Sequence, residues 1–227
     1  MTSNLPEIPV KEWIDEFLAN KEYKDPTTLC AIMTSFGSDK GNERHNYTTL
    51  YSKLFNPWKN EPINLFELGV GTNFTDVPSN MGVEGKPGAS LYGWSLFFPH
   101  AHIYGADIDK RVLFNDQMIK TYYCDQCSAK SIKELFSQDD LKDVSFDIMI
   151  EDGLHEFSAN INFLLNSLHK LRKGGIYIAE DLDSISKEAF IQILPHLKNI
   201  LKLNSIDVIQ IPSSLNTFDN ALLVIQK

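Results

Sequence analysis

The residues best placed to do chemistry in this chain close two apolar runs. Phe146-Asp-Ile-Met-Ile-Glu-Asp152-Gly-Leu-His155 and Gly174-Gly-Ile-Tyr-Ile-Ala-Glu180-Asp181 each end in carboxylates, with a helix-like segment between them. As neighbouring parallel strands they bring Asp152, Glu180 and Asp181 to one C-terminal sheet edge, with His155 beside them. Ligands of open α/β sheets bind at that edge. Carboxylates crowded together raise one another's pKa unless a cation compensates them. Hard oxygen donors favour Mg²⁺ or Mn²⁺ over zinc, so Asp152, Glu180 and Asp181 are candidate metal ligands. A bound metal lowers the pKa of an oxygen nucleophile, and a neutral imidazole titrating near pH ~6.5 can accept its proton. His155 and Asp152 are therefore the candidate catalytic pair. Taken singly, each carboxylate suits a solvated strand end or a helix N-cap equally well.

The elements that must position these residues follow from periodicity. From Ile63 onward, strand-length apolar runs alternate with helix-like segments, the pattern of a parallel α/β sheet. Strands are expected near Asn64–Leu68, Ile103–Asp107, Lys120–Cys124, Phe146–Glu151, Ile176–Ala179, Ile206–Gln210 and Ala221–Ile225. The segment from Ser158 predicts a helix with Ile161, Leu164, Leu165, Leu168 and Leu171 on one face, ended by Gly174-Gly175. A further helix over Lys187–Leu203 contains Pro195, which should kink or divide it. The last two strands are too close for a crossover helix and should form an antiparallel hairpin. Residues 1–60 read as a small helical cap, with helices at Val10–Asn20, Pro26–Thr34 and Thr48–Leu54 around the polar loop Phe36–Tyr47. Residues 61–227 form the sheet domain, and Phe74–Gly88 is a long loop rich in Gly, Pro and Asn.

Other strand ends carry further candidates. The first strand ends Glu67-Leu-Gly69-Val-Gly71, where glycines permit a tight turn and close approach of a ligand. A dinucleotide fingerprint would place a third glycine where Phe74 stands. Asp107 closes the second strand, where an acid can accept from a ribose diol. Asp125-Gln126 closes the third and suits an adenine amino edge. The flanking Cys124 and Cys127 lack a second pair for zinc, which leaves Cys124 as core and Cys127 as incidental. In the polar loop, Lys40 is a candidate contact for an anionic substrate group, and His45 and Tyr47 for ligand.

With Glu67-x-Gly-x-Gly, Asp107, Asp125-Gln126 and Asp152 at successive strand ends, the chain resembles the class I S-adenosylmethionine-dependent methyltransferases over roughly residues 61–227. The resemblance implies a Rossmann-like α/β sheet of seven strands, mostly parallel, with a C-terminal antiparallel hairpin. It implies that Glu67, Gly69 and Gly71 hold the methionine part of S-adenosylmethionine, Asp107 its ribose, and Asp125 with Gln126 its adenine. Ser90, Lys40 and Tyr47 are further cofactor-binding candidates. Asp152-Gly-Leu-His155, Glu180-Asp181 and Gly37-Ser-Asp-Lys40…Tyr47-Thr are similar to elements of metal-dependent sugar O-methyltransferases of the mycinamicin type, with rhamnosyl O-methyltransferases and the cephalosporin-hydroxylase group as relatives. That similarity implies Mg²⁺ or Mn²⁺ on the three acids, His155 as base, and a sugar-containing acceptor. The large auxiliary domain of the macrolide enzymes has no counterpart here, and a homo-oligomer is compatible with the pattern.

Composition limits the remaining choices. The 227 residues are 43% hydrophobic and 22% charged, which describes an ordinary globular chain. A net charge of −9 without a basic patch argues against a nucleic-acid partner. No apolar window is long enough for membrane insertion, the start lacks signal-peptide features, and three cysteines provide no disulfide framework, so a cytoplasmic location is expected. The competing readings are a nicotinamide-dependent Rossmann oxidoreductase and a non-catalytic cofactor-binding module.

Overall fold

The computed structural model describes residues 5–227. Seven strands form one sheet: β1 Asn64–Leu68, β2 His102–Asp107, β3 Ile119–Tyr123, β4 Phe146–Glu151, β5 Leu171–Ala179, β6 Ser205–Gln210 and β7 Ala221–Gln226. Their order is β3-β2-β1-β4-β5-β7-β6. The first five run parallel, while β7 pairs antiparallel with both β5 and β6. Each expected strand lies within a residue or two of its place at the site end. The strand order reverses between β1 and β4, which opens a crevice beyond their carboxyl ends.

Helices cover both faces. On one side pack α1 Val10–Asn20, α2 Thr28–Phe36, α3 Tyr47–Phe55 and α4 Ala89–Phe97; on the other α5 Ala129–Phe136, α6 Phe157–Ser167 and α7 Ser184–Leu201. Side chains alternate along the strands, so Leu65, Ile148, Ile150, Ile176 and Ile178 join the first layer, and Phe66, Met149, Tyr177 and Ala179 the second. Strands buried on both faces explain why the sequence shows continuous apolar runs. The three helices of the expected 1–60 cap share the core of the first layer; residues 1–4 of that cap lie outside the described residues. Among the described residues no helix is long and apolar enough to cross a membrane.

Three local expectations are corrected. Gly174-Gly175 lies inside β5, because α6 already ends at Ser167 and passes through a 3-10 turn at Leu168–Lys170. The glycines accommodate a register shift against β4: Gly174 has φ +74°, and a Cβ on Gly175 would stand 3.0 Å from the carbonyl oxygens of Arg172 and Asp147. Pro195 does not divide α7, which runs unbroken from Ser184 to Leu201 with Phe190 and Leu197 buried on either side of it. On α6, Leu165 is exposed, and Phe163 takes its place in the core.

Candidate functional site

The crevice beyond β1 and β4 is organised around Gly69 and Asp152. Gly69 has φ +95°, and a Cβ there would lie 1.9 Å from the Asp152 carbonyl oxygen, so only glycine permits this approach. Two cavities meet at this point and share Gly69, Gly71, Ser79 and Asp152 in their walls. One, of about 410 Å³, is polar and reaches from Ser38 and His45 to Asp152, His155 and Asp181. The other, of about 240 Å³, is largely apolar, walled by Leu68, Val77, Pro78, Ile108 and Leu154, with Asp107 and Asp125 on its border.

In the polar cavity, donor atoms of Asp152, His155 and Asp181 lie within 4.8 Å of one another, close enough to hold a metal ion. His155 Nε2 is 3.1 Å from Asp152 Oδ1, and its Nδ1 is 3.7 Å from Asp181 Oδ2. Both His155 (φ +62°) and Asp181 (φ +55°) sit in the left-handed region, which is costly for a residue with a Cβ. Burial disfavours a charged His155, but its hydrogen bond to Asp152 and the charges of Asp181 and Asp152 push its pKa up to about 10. Without metal, His155 is an imidazolium spanning two carboxylates.

Glu180 stands apart from this cluster. Its Oε2 accepts from Lys40 Nζ at 2.5 Å and its Oε1 from the Tyr51 hydroxyl at 2.6 Å. Lys40 also donates to Asp152 Oδ2 at 2.5 Å and lies 3.4 Å from Glu67 Oε1. Lys40 is 2% exposed, and its ammonium, in the wall of the polar cavity, is paired with internal carboxylates. Burial would lower its pKa, yet the charges of Asp152, Glu180 and Glu67 hold it well above the ordinary value. Burial raises the carboxyl of Glu180 well above its usual range despite Lys40, whereas Lys40 and His155 overcome burial at Asp152 and hold it well below. Part of the crowding read from the sequence is therefore relieved by a lysine, which pairs with two of the three expected metal acids, Asp152 and Glu180.

The other candidates separate into wall and support. Gly69, Gly71, Ser90, Asp107, Asp125 and Gln126 line the two cavities. Asp107 accepts from the backbone N–H of Gly71 at 3.0 Å and of Asp109 at 2.8 Å, and burial raises its carboxyl pKa. Gln126 is occupied at both ends, donating to Glu151 at 2.6 Å and accepting from Leu154 N–H at 2.8 Å. Its side chain therefore braces the wall, beside Asp125 in the lining of the apolar cavity. Glu67 is fully buried beneath the cavity, taking hydrogen bonds from Ser90 at 2.6 Å and Trp94 at 2.5 Å. The Tyr47 hydroxyl donates to Asp181 Oδ1 at 2.8 Å, and His45 Nδ1 lies 3.3 Å from the same oxygen. Glu67 and Tyr47 act as supports, since neither reaches the open cavity. Cys124 is buried and Cys127 exposed.

Tyr51, Asn160 and Asp219 carry site contacts that the sequence did not single out. Tyr51 follows Tyr47 by one helical turn, so the i, i+4 spacing on α3 was the available signal. Asn160 donates to Glu151, and the Asp219 carbonyl accepts from Tyr47 at 3.1 Å. Both come from segments whose pairing depends on tertiary structure alone.

The sheet order, the antiparallel last strand and the ligand crevice at the first glycine turn define the fold of the class I methyltransferases. Comparison with known proteins agrees. The 8-demethyl-8-alpha-L-rhamnosyl tetracenomycin-C 2'-O-methyltransferase of Streptomyces olivaceus is 30% identical over 183 residues, covering 80% of this chain and 45% of that protein. The mycinamicin VI 2''-O-methyltransferase of Micromonospora griseorubida is 30% identical over 157 residues, covering 68% of this chain and 36% of that protein. Among solved structures, MycE methyltransferase from the mycinamycin biosynthetic pathway, in complex with Mg, SAH and mycinamycin VI, superposes with a TM-score of 0.68 at 21% identity, over 89% of this chain and 55% of that one. The chain thus spans less than half the length of the curated relatives it matches. No family model matches it.

Proposed function

We propose that this chain is an S-adenosylmethionine-dependent, divalent-metal-dependent O-methyltransferase acting on a hydroxyl of a sugar. The observation that carries the reading is the meeting of two unlike cavities at Gly69 and Asp152. The apolar one suits an adenosine, with Asp107 toward a ribose diol, Asp125 toward the adenine edge, and the Gly69–Gly71 turn beside the methionine part. The polar one suits an acceptor hydroxyl against Asp152, His155 and Asp181. The named relatives act on glycosylated natural products, which supports a sugar-bearing small molecule as acceptor. Residues 1–60 are assigned to a cap over the acceptor side and 61–227 to the donor-binding sheet, and a reducing cytoplasm suits the free cysteines.

Asp152, Glu180 and Asp181 would supply hard oxygen donors for Mg²⁺ or Mn²⁺, leaving His155 free as base, and such an ion when bound lowers the pKa of an acceptor hydroxyl. Once those carboxylates are compensated by the ion, His155 no longer needs its second proton and its ring nitrogen can accept that of the hydroxyl. Tyr47 and His45 keep Asp181 oriented from behind. Adjoining cavities suit a donor and an acceptor held side by side, and such positioning would supply much of the rate.

Calorimetric titration with S-adenosylhomocysteine, with NADH as control, tests the donor half. Methyl transfer to rhamnosylated and other glycoside acceptors before and after EDTA tests the other. S-adenosylhomocysteine should bind and NADH should not, and turnover should vanish on chelation and return with Mg²⁺ or Mn²⁺. Turnover that survives complete chelation would sink the metal mechanism.

A further inference from the structure

The loop joining β6 to β7, residues 211–220, reaches the polar cavity, whose wall includes Asp219. Asp152, Glu180 and Asp181 make the acid cage of that cavity, and the loop is fastened to the residues that support it. Ser213 Oγ donates to the Arg44 carbonyl at 3.0 Å. Asn216 Nδ2 and Asn220 Oδ1 lie 3.0 Å and 3.2 Å from His45 Nδ1. The Asp219 carbonyl accepts from the Tyr47 hydroxyl, and His45 and Tyr47 both contact Asp181.

The polarity of this loop is inverted. Its polar side chains bond to the protein and to the loop itself: Ser213 Oγ accepts from the N–H groups of Leu215 and Asn216 at 3.2 Å, and Asn216 Oδ1 from Phe218 N–H at 3.1 Å. Such local bonds hold a turn-rich segment in one shape. Its large apolar side chains face water instead, with Leu215 67% and Phe218 77% exposed. Ile185, 75% exposed, opens α7 at the same sheet edge, where Leu182 N–H donates to the Ala221 carbonyl at 3.0 Å. Single exposed apolar residues need no explanation, but several on joined segments beside a ligand cavity mark a binding surface.

We infer that Leu215 and Phe218 form an apolar rim that binds the non-sugar part of the acceptor, so the chain prefers a sugar carried on an apolar aglycone to a free or nucleotide-linked sugar. This rests on the reading of the polar cavity as the acceptor site. A sugar whose hydroxyl meets Asp152 and Asp181 leaves the rest of the acceptor to run along the cavity wall, and Asp219 in that wall adjoins Phe218. Beyond the cage the wall carries Asp39, Glu84 and Asp219 against Arg44 and Lys86, which offers no net positive charge to a diphosphate. A loop already held in shape loses little freedom when a ligand settles on it.

The test is calorimetric titration of the intact chain, loaded with S-adenosylhomocysteine and Mg²⁺, with matched methyl and octyl glycosides of rhamnose, fucose and glucose below micelle-forming concentrations. In at least one pair the octyl glycoside should bind about tenfold or more tightly than its methyl partner. The double variant Leu215→Ser with Phe218→Ser should bring the octyl glycoside to within about threefold of the methyl one, with S-adenosylhomocysteine affinity unchanged, and Phe218→Leu should keep most of the gain. Equal binding within every pair, or a gain that survives the double variant, overturns the inference and leaves the sugar reading standing. No binding of any glycoside while S-adenosylhomocysteine still binds would sink the sugar reading and the inference with it. A wild-type dimer that the double variant dissolves, with octyl binding unaltered, would assign the rim to a second copy of the chain and overturn the inference as well.

Discussion

On the Asp107 side of Gly69 the wall of the crevice is built from backbone and neutral amides: Gly71 N–H and Asp109 N–H hold Asp107, and Gln126 ties Glu151 to Leu154. On the Asp152 side it is built from charges brought together over long chain separations, with Lys40 reaching Asp152 and Glu180 and the α3 tyrosines reaching Glu180 and Asp181. The first wall is complete without ligand. The second holds His155 between the carboxylates of Asp152 and Asp181, at the proposed metal position. A neutral, apolar half suits a large donor bound by shape, and a charged half suits an ion and the hydroxyl it activates.

The most severe way to break this contrast is Asp152→Asn. It removes a candidate metal ligand and one partner each of His155 and Lys40, so turnover should fall at least ~10³-fold and Mn²⁺ binding should be lost. S-adenosylhomocysteine affinity should stay within about threefold, because Asp152 only borders the apolar cavity and asparagine keeps its size there. A comparable loss in both titrations would mean that the two halves are one energetic unit.

His155→Ala sharpens the same division, with an expected loss of ~10²–10⁴-fold in turnover while S-adenosylhomocysteine still binds. It also has a signature in the metal-free protein. The pKa of His155 is raised to about 10 in the fold, above an unfolded value near ~6.5. Stability contributed by this proton is fully present below pH ~6.5 and is lost as pH rises through about 10. Thermal melts of the metal-free chain should therefore show the wild-type advantage over His155→Ala shrinking between pH 7 and 10. Saturating Mg²⁺ should flatten that difference, and a difference independent of pH would remove the imidazolium from the account.

The same contrast explains what was legible in the sequence. The strands, the hairpin and the glycine turn were readable because continuous apolar runs and turn chemistry act over a few residues. Asp152, His155 and Asp181 were readable because they directly follow two apolar strands, the first two after β4 and the last after β5. Lys40 and Tyr51 were assigned otherwise or overlooked because their partners, Asp152 and Glu180, lie 112 and 129 residues away in the chain. A buried lysine and an exposed one look alike in a polar loop, and only packing distinguishes them. Gly174-Gly175 failed for a related reason: a glycine pair marks a break in regularity without saying whether a helix ends or a strand bulges.

The smallest expected effect concerns the loop that roofs the donor half. Val77, Pro78 and Ser79 line the apolar cavity, and the loop is fastened by Arg111, whose guanidinium lies 3.9 Å from the centre of the Phe74 ring and donates to Asp76 at 2.8 Å. Phe74 is 41% exposed, so its contact with Arg111 contributes about 0.5–1 kcal/mol, the range for an exposed cation–aromatic pair. Phe74→Ala should accordingly weaken S-adenosylhomocysteine by about two- to fivefold in calorimetry. Mn²⁺ affinity should not change, because Phe74 and Arg111 touch none of the carboxylates of the acid cage. A drop in Mn²⁺ binding on Phe74→Ala would show the roof loop to be mechanically joined to the charged half, and the boundary at Gly69 would then have to be redrawn.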